Sequence, residues 1–171
     1  MTIPKYIFVI PYKNREEHKI FYEKYMSFIL EDYSSLDYKF IFCHQVQDKP
    51  FNRGAIKNIG FLVVKELYPN NYKDIILIFN DIDCVPYTKN LLNFDVNDNE
   101  IKHFFGYKFA LGGIFSIKAK DFEKLQGFPN FETHGYEDTI LKKKSDYYNM
   151  NINYEYFFKI KNMKILHLND E

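Results

Sequence analysis

The sequence has no excess of either charge, only two cysteines and no long apolar run, and each shortage excludes a class of protein. Its 23 basic residues balance 23 acidic ones, so no net field draws the chain to nucleic acid or to an anionic membrane; a local basic pocket stays open. Cys43 and Cys84 each lie in an apolar run that ends in a polar turn and lack the repeated spacing of a disulfide framework or a zinc knuckle, so both are expected reduced and mostly buried. No stretch approaches the roughly 18 to 20 apolar residues of a membrane span, and charge returns too early at the N-terminus for a secretory leader. The expectation is a soluble, cytoplasmic protein without a membrane span or a nucleic-acid partner. What the chain does have is 46% hydrophobic residues, including 15 Tyr and 18 Phe, over 171 residues, which suits one domain, 1–171, around one core.

Residues 5–10, rich in Ile, Val and Phe and closed by Pro11, predict a strand covered on both faces. Asn14 followed by Arg15, Glu16 and Glu17 predicts a helix start, and Phe21, Tyr25, Met26 and Ile29 recur at helical spacing up to Leu30. Residues 38–43 predict a second strand, and Asn52 caps a second helix that runs to Leu67 with Ile56, Ile59, Leu62 and Val63 as its apolar positions. Residues 74–79 are the most apolar strand and run straight into Asn80-Asp81-Ile82-Asp83. The alternation predicts an α/β sandwich with a mostly parallel sheet. Residues 87–102 are polar and read as an excursion or loop. A strand over 114–117, a short helix over 120–126 stopped by Gly127-Phe128-Pro129-Asn130, a helix from His134-Gly135-Tyr136-Glu137-Asp138 through Lys144, and strands over 154–158 and 163–168 complete the pattern, with no repeat and no linker.

Asp81-Ile82-Asp83 falls where an open α/β sheet binds ligands, at the carboxyl end of a strand, and two carboxylates there can coordinate a divalent cation carrying a diphosphate. Aspartates also end strands simply as turn formers, and both readings stay open on this pair alone. Glu137 and Asp138 start a helix, where the macrodipole favours acids whatever the function; alternatively one is a general base, with Gly127 and Gly135 letting a loop close over substrate. His18, His44 and His103 read as structural or exposed. His167 is either a satisfied core imidazole or a metal ligand suited to Mn²⁺ or Zn²⁺ more than Mg²⁺. Lys13, Arg15 and Arg53, beside Tyr12 and Phe51, are either solvated surface charge or a cationic, stackable nucleotide pocket.

In order along the chain, Pro11-Tyr12-Lys13-Asn14-Arg15-Glu16-Glu17-His18, Phe51-Asn52-Arg53, Asp81-Ile82-Asp83-Cys84-Val85-Pro86, Gly112-Gly113, Gly127-Phe128-Pro129-Asn130 and Gly135-Tyr136-Glu137-Asp138 closely resemble the successive motifs of the beta-1,4-galactosyltransferase family, the family-7 glycosyltransferases. The resemblance runs from residue 11 to 138, with His167 as a further match. It implies a GT-A (Rossmann-like) fold and inverting transfer of a hexose or N-acetylhexosamine, of Gal or GalNAc type, from a UDP-sugar to a glycan acceptor. The implied metal is Mn²⁺, with Mg²⁺ as the other candidate. By motif match, Pro11, Tyr12, Lys13, Arg15, Phe51 and Arg53 would line the uridine-diphosphate pocket together with Gly113, and Asp81 would approach donor hydroxyls. Asp83 and His167 would hold the metal, Asp138 would be the general base, and Glu137 would position substrate.

Four departures from the family pattern bear on function. Ala110 stands where galactose enzymes carry a bulky Tyr two residues before the Gly-Gly pair, so a wider donor pocket that admits an N-acetylhexosamine is expected. The chain has no tryptophan, and His134 replaces the one that the family presents on its closing loop. Lys164 replaces a metal-binding Met, with Met163 one residue off and therefore on the other face of a strand, which leaves the third protein ligand open. The chain also ends soon after His167, so a minimal catalytic core or one domain of a larger assembly with a protein partner is expected. The rival readings are a non-catalytic or partner-dependent UDP-sugar or glycan binding module of the same fold, and a haloacid-dehalogenase-like phosphatase. The phosphatase is disfavoured because its D-x-D sits on an early strand and is followed by acidic motifs absent here.

Overall fold

The computed structural model describes residues 2–131 and 135–168. The chain runs β1 (Tyr6–Tyr12), α1 (Glu16–Ile29), β2 (Tyr38–His44), α2 (Arg53–Leu67), β3 (Ile76–Asn80), β4 (Cys84–Pro86), β5 (Glu100–Gly106), β6 (Ile114–Lys118), α3 (Ala119–Lys124), α4 (Glu137–Tyr147), β7 (Asn151–Asn153), β8 (Phe158–Lys159) and β9 (Ile165–His167). Seven strands form one sheet in the order β2-β1-β3-β6-β5-β7, with β8 also paired to β5. Among the described residues all of its strands point one way except β6, which is antiparallel to both β3 and β5. The mostly parallel α/β sandwich expected from the sequence therefore forms, with one reversed strand inside it. β4 and β9 pair separately as a short antiparallel ribbon.

All seven residues of β1 are buried, because the sheet is covered on both faces. Ile7 and Val9 pack with α2, α3 and α4 through Ile56, Phe61, Phe122 and Leu141, while Tyr6, Phe8 and Ile10 pack with α1 through Tyr22, Met26 and Ile29. Pairing of β1 with β3 stops at Val9–Phe79, so Pro11 lies beside β2 alone, where a missing N–H is tolerated. No helix among the described residues is long and apolar enough to cross a membrane.

Several local expectations shift, each for a physical reason. The cap of α1 falls on Arg15 rather than Asn14, which adopts a left-handed conformation (φ 52°) that asparagine tolerates. The buried stripe of α1 is Tyr22, Met26 and Ile29, whereas Phe21 and Tyr25 stack on each other outside it; both sets satisfy helical spacing, so periodicity alone does not set the phase. On α2 the buried positions are Gly54, Ile56, Lys57, Gly60, Phe61 and Val64, and Ile59 and Leu62 are exposed. Gly60 sets that phase: a Cβ there would lie 2.4 Å from Val9 Cγ1 and 2.9 Å from Cys43 Sγ, so the helix approaches the sheet on its glycine side. The polar segment after β4 is not a loose excursion, since Leu92, Phe94 and Val96 are buried beneath it and the Phe94 ring meets those of Tyr6, Phe8 and Phe104 edge-on. Of residues 154–158 only Phe158 is in a strand, as the start of β8; a turn closed by Phe157 N–H to the Tyr154 carbonyl separates β7 from β8.

His103, read from the sequence as structural or exposed, is fully buried beside an irregularity in the β5–β6 pairing. Its Nε2 lies 3.0 Å from the Phe105 carbonyl and 3.1 Å from that of Gly112, so Nε2–H donates to both; Nδ1 has no partner among the described residues. Burial pulls its pKa down to about 4. The unfolded chain, with an ordinary histidine pKa of about 6.5, takes up the proton first as pH falls, so this contribution to stability is full above about 6.5 and is lost towards about 4. Urea unfolding at pH 7 and pH 4.5 should show a pH-dependent loss about 2 to 3 kcal/mol larger for the wild type than for His103→Gln; equal losses would mean that the buried imidazole is not the titrating group.

Candidate active site

The strand β3 ends at Asn80, whose side-chain amide donates to the carbonyls of Asp81 (2.8 Å) and Cys84 (2.7 Å) and so fixes the turn that carries Asp81 and Asp83. Asp81 N–H donates to the Gly113 carbonyl at 2.9 Å, tying that turn to the loop before β6. Gly112 is required next to it, because a Cβ there would stand 2.3 Å from Asp138 Oδ2.

The Arg53 guanidinium, at the start of α2, gathers three carboxylates. Nη1 donates to Asp81 Oδ2 at 2.8 Å, Nε to Glu137 Oε1 at 2.8 Å, and Nη2 to Asp138 Oδ2. One turn along the same helix face, fully buried Lys57 reaches Asp81 Oδ1 at 3.3 Å and Asp138 Oδ1 at 3.5 Å. Three acids thus share two cations. Burial alone would raise all three acids, but Arg53 and Lys57 hold Asp81 below its usual range, and Arg53 does the same for Glu137. Asp138 goes the other way: burial raises it, the neighbouring charges of Asp81 and Glu137 add to that, and the two cations only partly offset them.

Glu137 has little freedom, since Oε1 takes Arg53 and Oε2 accepts from Gly135 N–H at 2.9 Å. The residue between, Tyr136, is exposed and caps α4 in a left-handed conformation (φ 64°). Gly127, the other proposed hinge, is instead locked: Asn58 accepts from Phe128 N–H at 2.9 Å and donates to the Phe128 carbonyl at 2.9 Å, and a Cβ on Gly127 would strike the Asn58 amide. His134 lies outside the described residues.

A pocket of about 440 Å³ opens beside this cluster. It is lined by Pro11, Tyr12, Lys13 and Arg15 from the end of β1, by Phe51 and Arg53 at the start of α2, and by Asp81 and Asp83 after β3. Gly113 is not in the lining; it acts from behind through its bond to Asp81. The Lys13 ammonium is turned to the Lys49 carbonyl, and Tyr12 stacks on His44 with ring centres 4.5 Å apart. At the far edge Arg15 Nη1 donates to Asp83 Oδ2 at 2.9 Å, and His167 Nε2 stands 3.7 Å from the same oxygen. Asp83, His167 and Cys84 bring one ligand atom each within 4.8 Å of one another, an oxygen–nitrogen–sulfur donor set that fits a divalent cation. Met163 is 90% exposed and outside this group.

Sequence reasoning did not single out Lys57, Asn80 or Cys84 as site residues. A lysine four residues after Arg53 was a signal for the first, and the N-D-I-D cluster for the second. Cys84 had none, because its nearness to His167 depends on the β4–β9 pairing of residues far apart in sequence.

The mostly parallel sheet, with a pocket that stops on a D-x-D turn at the carboxyl end of β3, has the α/β architecture of the GT-A class of nucleotide-sugar transferases. The N-terminal region of glycosyl transferase group 7 matches residues 2–94, and the N-terminal domain of galactosyltransferase matches residues 93–167. The chain belongs to this glycosyltransferase family. It is 30% identical over 155 residues to beta-1,4-galactosyltransferase 4 of Rattus norvegicus, covering 84% of the chain and 43% of the relative, and 30% identical to beta-1,4-galactosyltransferase 6 of Homo sapiens, covering 39% of that relative. The chain therefore spans less than half the length of these curated relatives. Among solved structures, the catalytic domain of Drosophila beta-1,4-galactosyltransferase 7 in complex with xylobiose superposes with a TM-score of 0.81 at 19% identity, over 98% of this chain and 72% of that one. A mutant of that enzyme in complex with manganese, UDP-Gal and xylobiose gives 0.82 at 18% identity.

The three-acid, two-cation cluster generates a stability prediction. Lys57→Met leaves Asp81 and Asp138 with Arg53 alone and should cost about 3 to 5 kcal/mol in denaturant unfolding. In an Asp138→Asn background the same change should cost at least about 1 kcal/mol less, because the surplus charge is gone. Additive losses would mean that Lys57 and Asp138 are not coupled.

Proposed function

We propose that the chain is a single GT-A-like catalytic domain, 1–171, of an inverting, metal-dependent glycosyltransferase that moves a hexose or N-acetylhexosamine from a UDP-sugar to a sugar hydroxyl of a glycan acceptor. The observation that carries this reading is the convergence, around Arg53, of a pocket ending on Asp81 and Asp83 with a buried carboxylate, Asp138, whose pKa is raised. The manganese, UDP-Gal and xylobiose named with the Drosophila enzyme supply the corresponding classes of metal, donor and acceptor.

In this reading Tyr12 and Phe51 offer apolar, stackable walls to the nucleobase, while Arg15 and Lys13 offer positive charge to the diphosphate. Asp83 and His167 would hold the cation, which when bound offsets negative charge on the departing diphosphate. Asp81, fixed by Arg53 and Lys57, faces the donor sugar. Asp138 takes the proton from the attacking acceptor hydroxyl, and its raised pKa makes it a better base than an ordinary carboxylate once ionised. Glu137 braces Arg53 and the backbone at Gly135. Attack opposite the leaving group turns an α-linked donor into a β-glycoside. Half-buried Ala110, in the loop between β5 and Gly112, leaves room beside the sugar's 2-position.

UDP release from a panel of UDP-sugars, with Mn²⁺, Mg²⁺ or EDTA and with simple sugar acceptors, should depend on metal and be lost in Asp83→Ala. Asp138→Asn should lower turnover by about 100- to 10,000-fold while UDP binding, followed by calorimetry, persists; full activity in that variant would remove Asp138 from the base role. Metal-dependent UDP binding without turnover of any donor would favour a partner-dependent enzyme or a binding module. In direct competition UDP-GalNAc should be used at least as well as UDP-Gal, and a clear galactose preference would overturn the wider pocket assigned to Ala110.

A further inference from the structure

The ribbon formed by β4 and β9 does more than cover an edge of the fold. Its register places Cys84 opposite His167, Val85 opposite Leu166 and Pro86 opposite Ile165. The bonds that flank it, Leu168 N–H to the Asp83 carbonyl at 2.8 Å and Tyr87 N–H to that of Lys164 at 2.8 Å, belong to the alternate pairs. Cys84 and His167 are therefore a non-hydrogen-bonded pair, the kind in which facing side chains lie closest. Cys84 Sγ is 3.1 Å from Asp83 Oδ1, and His167 Nε2 is 3.7 Å from Asp83 Oδ2. A tetrahedral ion with bonds of about 2.0 to 2.3 Å needs its ligand atoms about 3.5 Å apart, so small side-chain adjustments close the set. Cys43, by contrast, donates to the Ile41 carbonyl and packs under Gly60, and among the described residues it belongs to no cluster that could hold a metal ion. Neither Lys164, whose ammonium lies over the Phe158 ring, nor exposed Met163 competes for the position.

We propose that Cys84 is the third protein ligand of the metal and makes the site an oxygen–nitrogen–sulfur one, with a preference for softer divalent ions such as Co²⁺ and Zn²⁺ over Mg²⁺. This rests on the reading of Asp83 and His167 as metal ligands, and on binding the Cys84 thiol gives its proton to solvent and its sulfur to the ion.

The test is a Co²⁺ titration of the chelator-treated protein followed by absorption, in which a bound ion gives visible ligand-field bands and a bound thiolate adds charge transfer in the near ultraviolet. Wild type and Cys43→Ala should show both signals. Cys84→Ala and Cys84→Ser should lose the near-ultraviolet band and bind Co²⁺ at least about tenfold more weakly, since even outer-shell changes cost that much. The wild-type and Cys43→Ala spectra report a thiolate whether or not the Cys84 variants fold. Ligand-field bands that disappear in Asp83→Ala, with no charge-transfer band in the wild type and unchanged affinity in Cys84→Ala, would overturn the role of Cys84 and leave Asp83 and His167 as ligands. Co²⁺ binding indifferent to Asp83→Ala and His167→Ala, or no binding at all, would overturn both.

Discussion

The fold and the site meet in one guanidinium. Arg53 ties the first turn of α2 to the end of β3 through Asp81 and to the first turn of α4 through Glu137 and Asp138. Buried charges are costly unless every one is paired, so the three elements have to reach their positions together. Glycine makes the approach possible: a Cβ on Gly54 would stand 2.7 Å from the Pro129 carbonyl oxygen and 3.3 Å from Glu137 Cβ, and Gly112 leaves room for the Asp138 carboxylate. Two glycines without side chains thus set how closely α2 and the loop before β6 approach the acids of α4.

The pairing is also incomplete by one charge. Asp81, Glu137 and Asp138 face Arg53 and Lys57, and the surplus settles on the acid that burial and the other two carboxylates together favour in its neutral form. That acid is Asp138, which is buried and stands beside the charges of both Asp81 and Glu137, so that Arg53 and Lys57 only partly offset the rise. A carboxylate held in its charged form less firmly than its neighbours is the member suited to accept a proton, while Asp81 and Glu137 are suited to stay ionised and hold geometry. Differences in burial and in neighbouring charge thus separate three nearly identical groups in how readily each holds a proton.

Much of this was legible in the sequence because it depends on short stretches with fixed order. The strand-helix alternation, the D-x-D at a strand end and the adjacent acids at a helix start are local patterns, and they place β1 to β3, Asp81, Asp83, Glu137 and Asp138 close to where the structure has them. What was illegible is long-range. Hydrophobic periodicity cannot know that Gly60 faces Val9, so it turned α2 towards Ile59 and Leu62 and left Lys57 unnoticed. It likewise could not see that Leu92, Phe94 and Val96 bring an outwardly polar segment into the core. His103 looked peripheral because its two carbonyl partners come from an irregular strand and a glycine loop, neither of which has a sequence signature.

The two ends of the pocket are built on different supports. The Arg53 cluster hangs from the main sheet and from α2 and α4, so any change there disturbs several buried charges at once. Cys84 and His167 instead face each other on a three-residue ribbon, with Asp83 just before it in the Asn80-braced turn that joins the ribbon to the sheet. A divided support of this kind separates the donor set of Asp83, Cys84 and His167 from the geometry around Asp138, which stays under the control of Arg53 and Lys57.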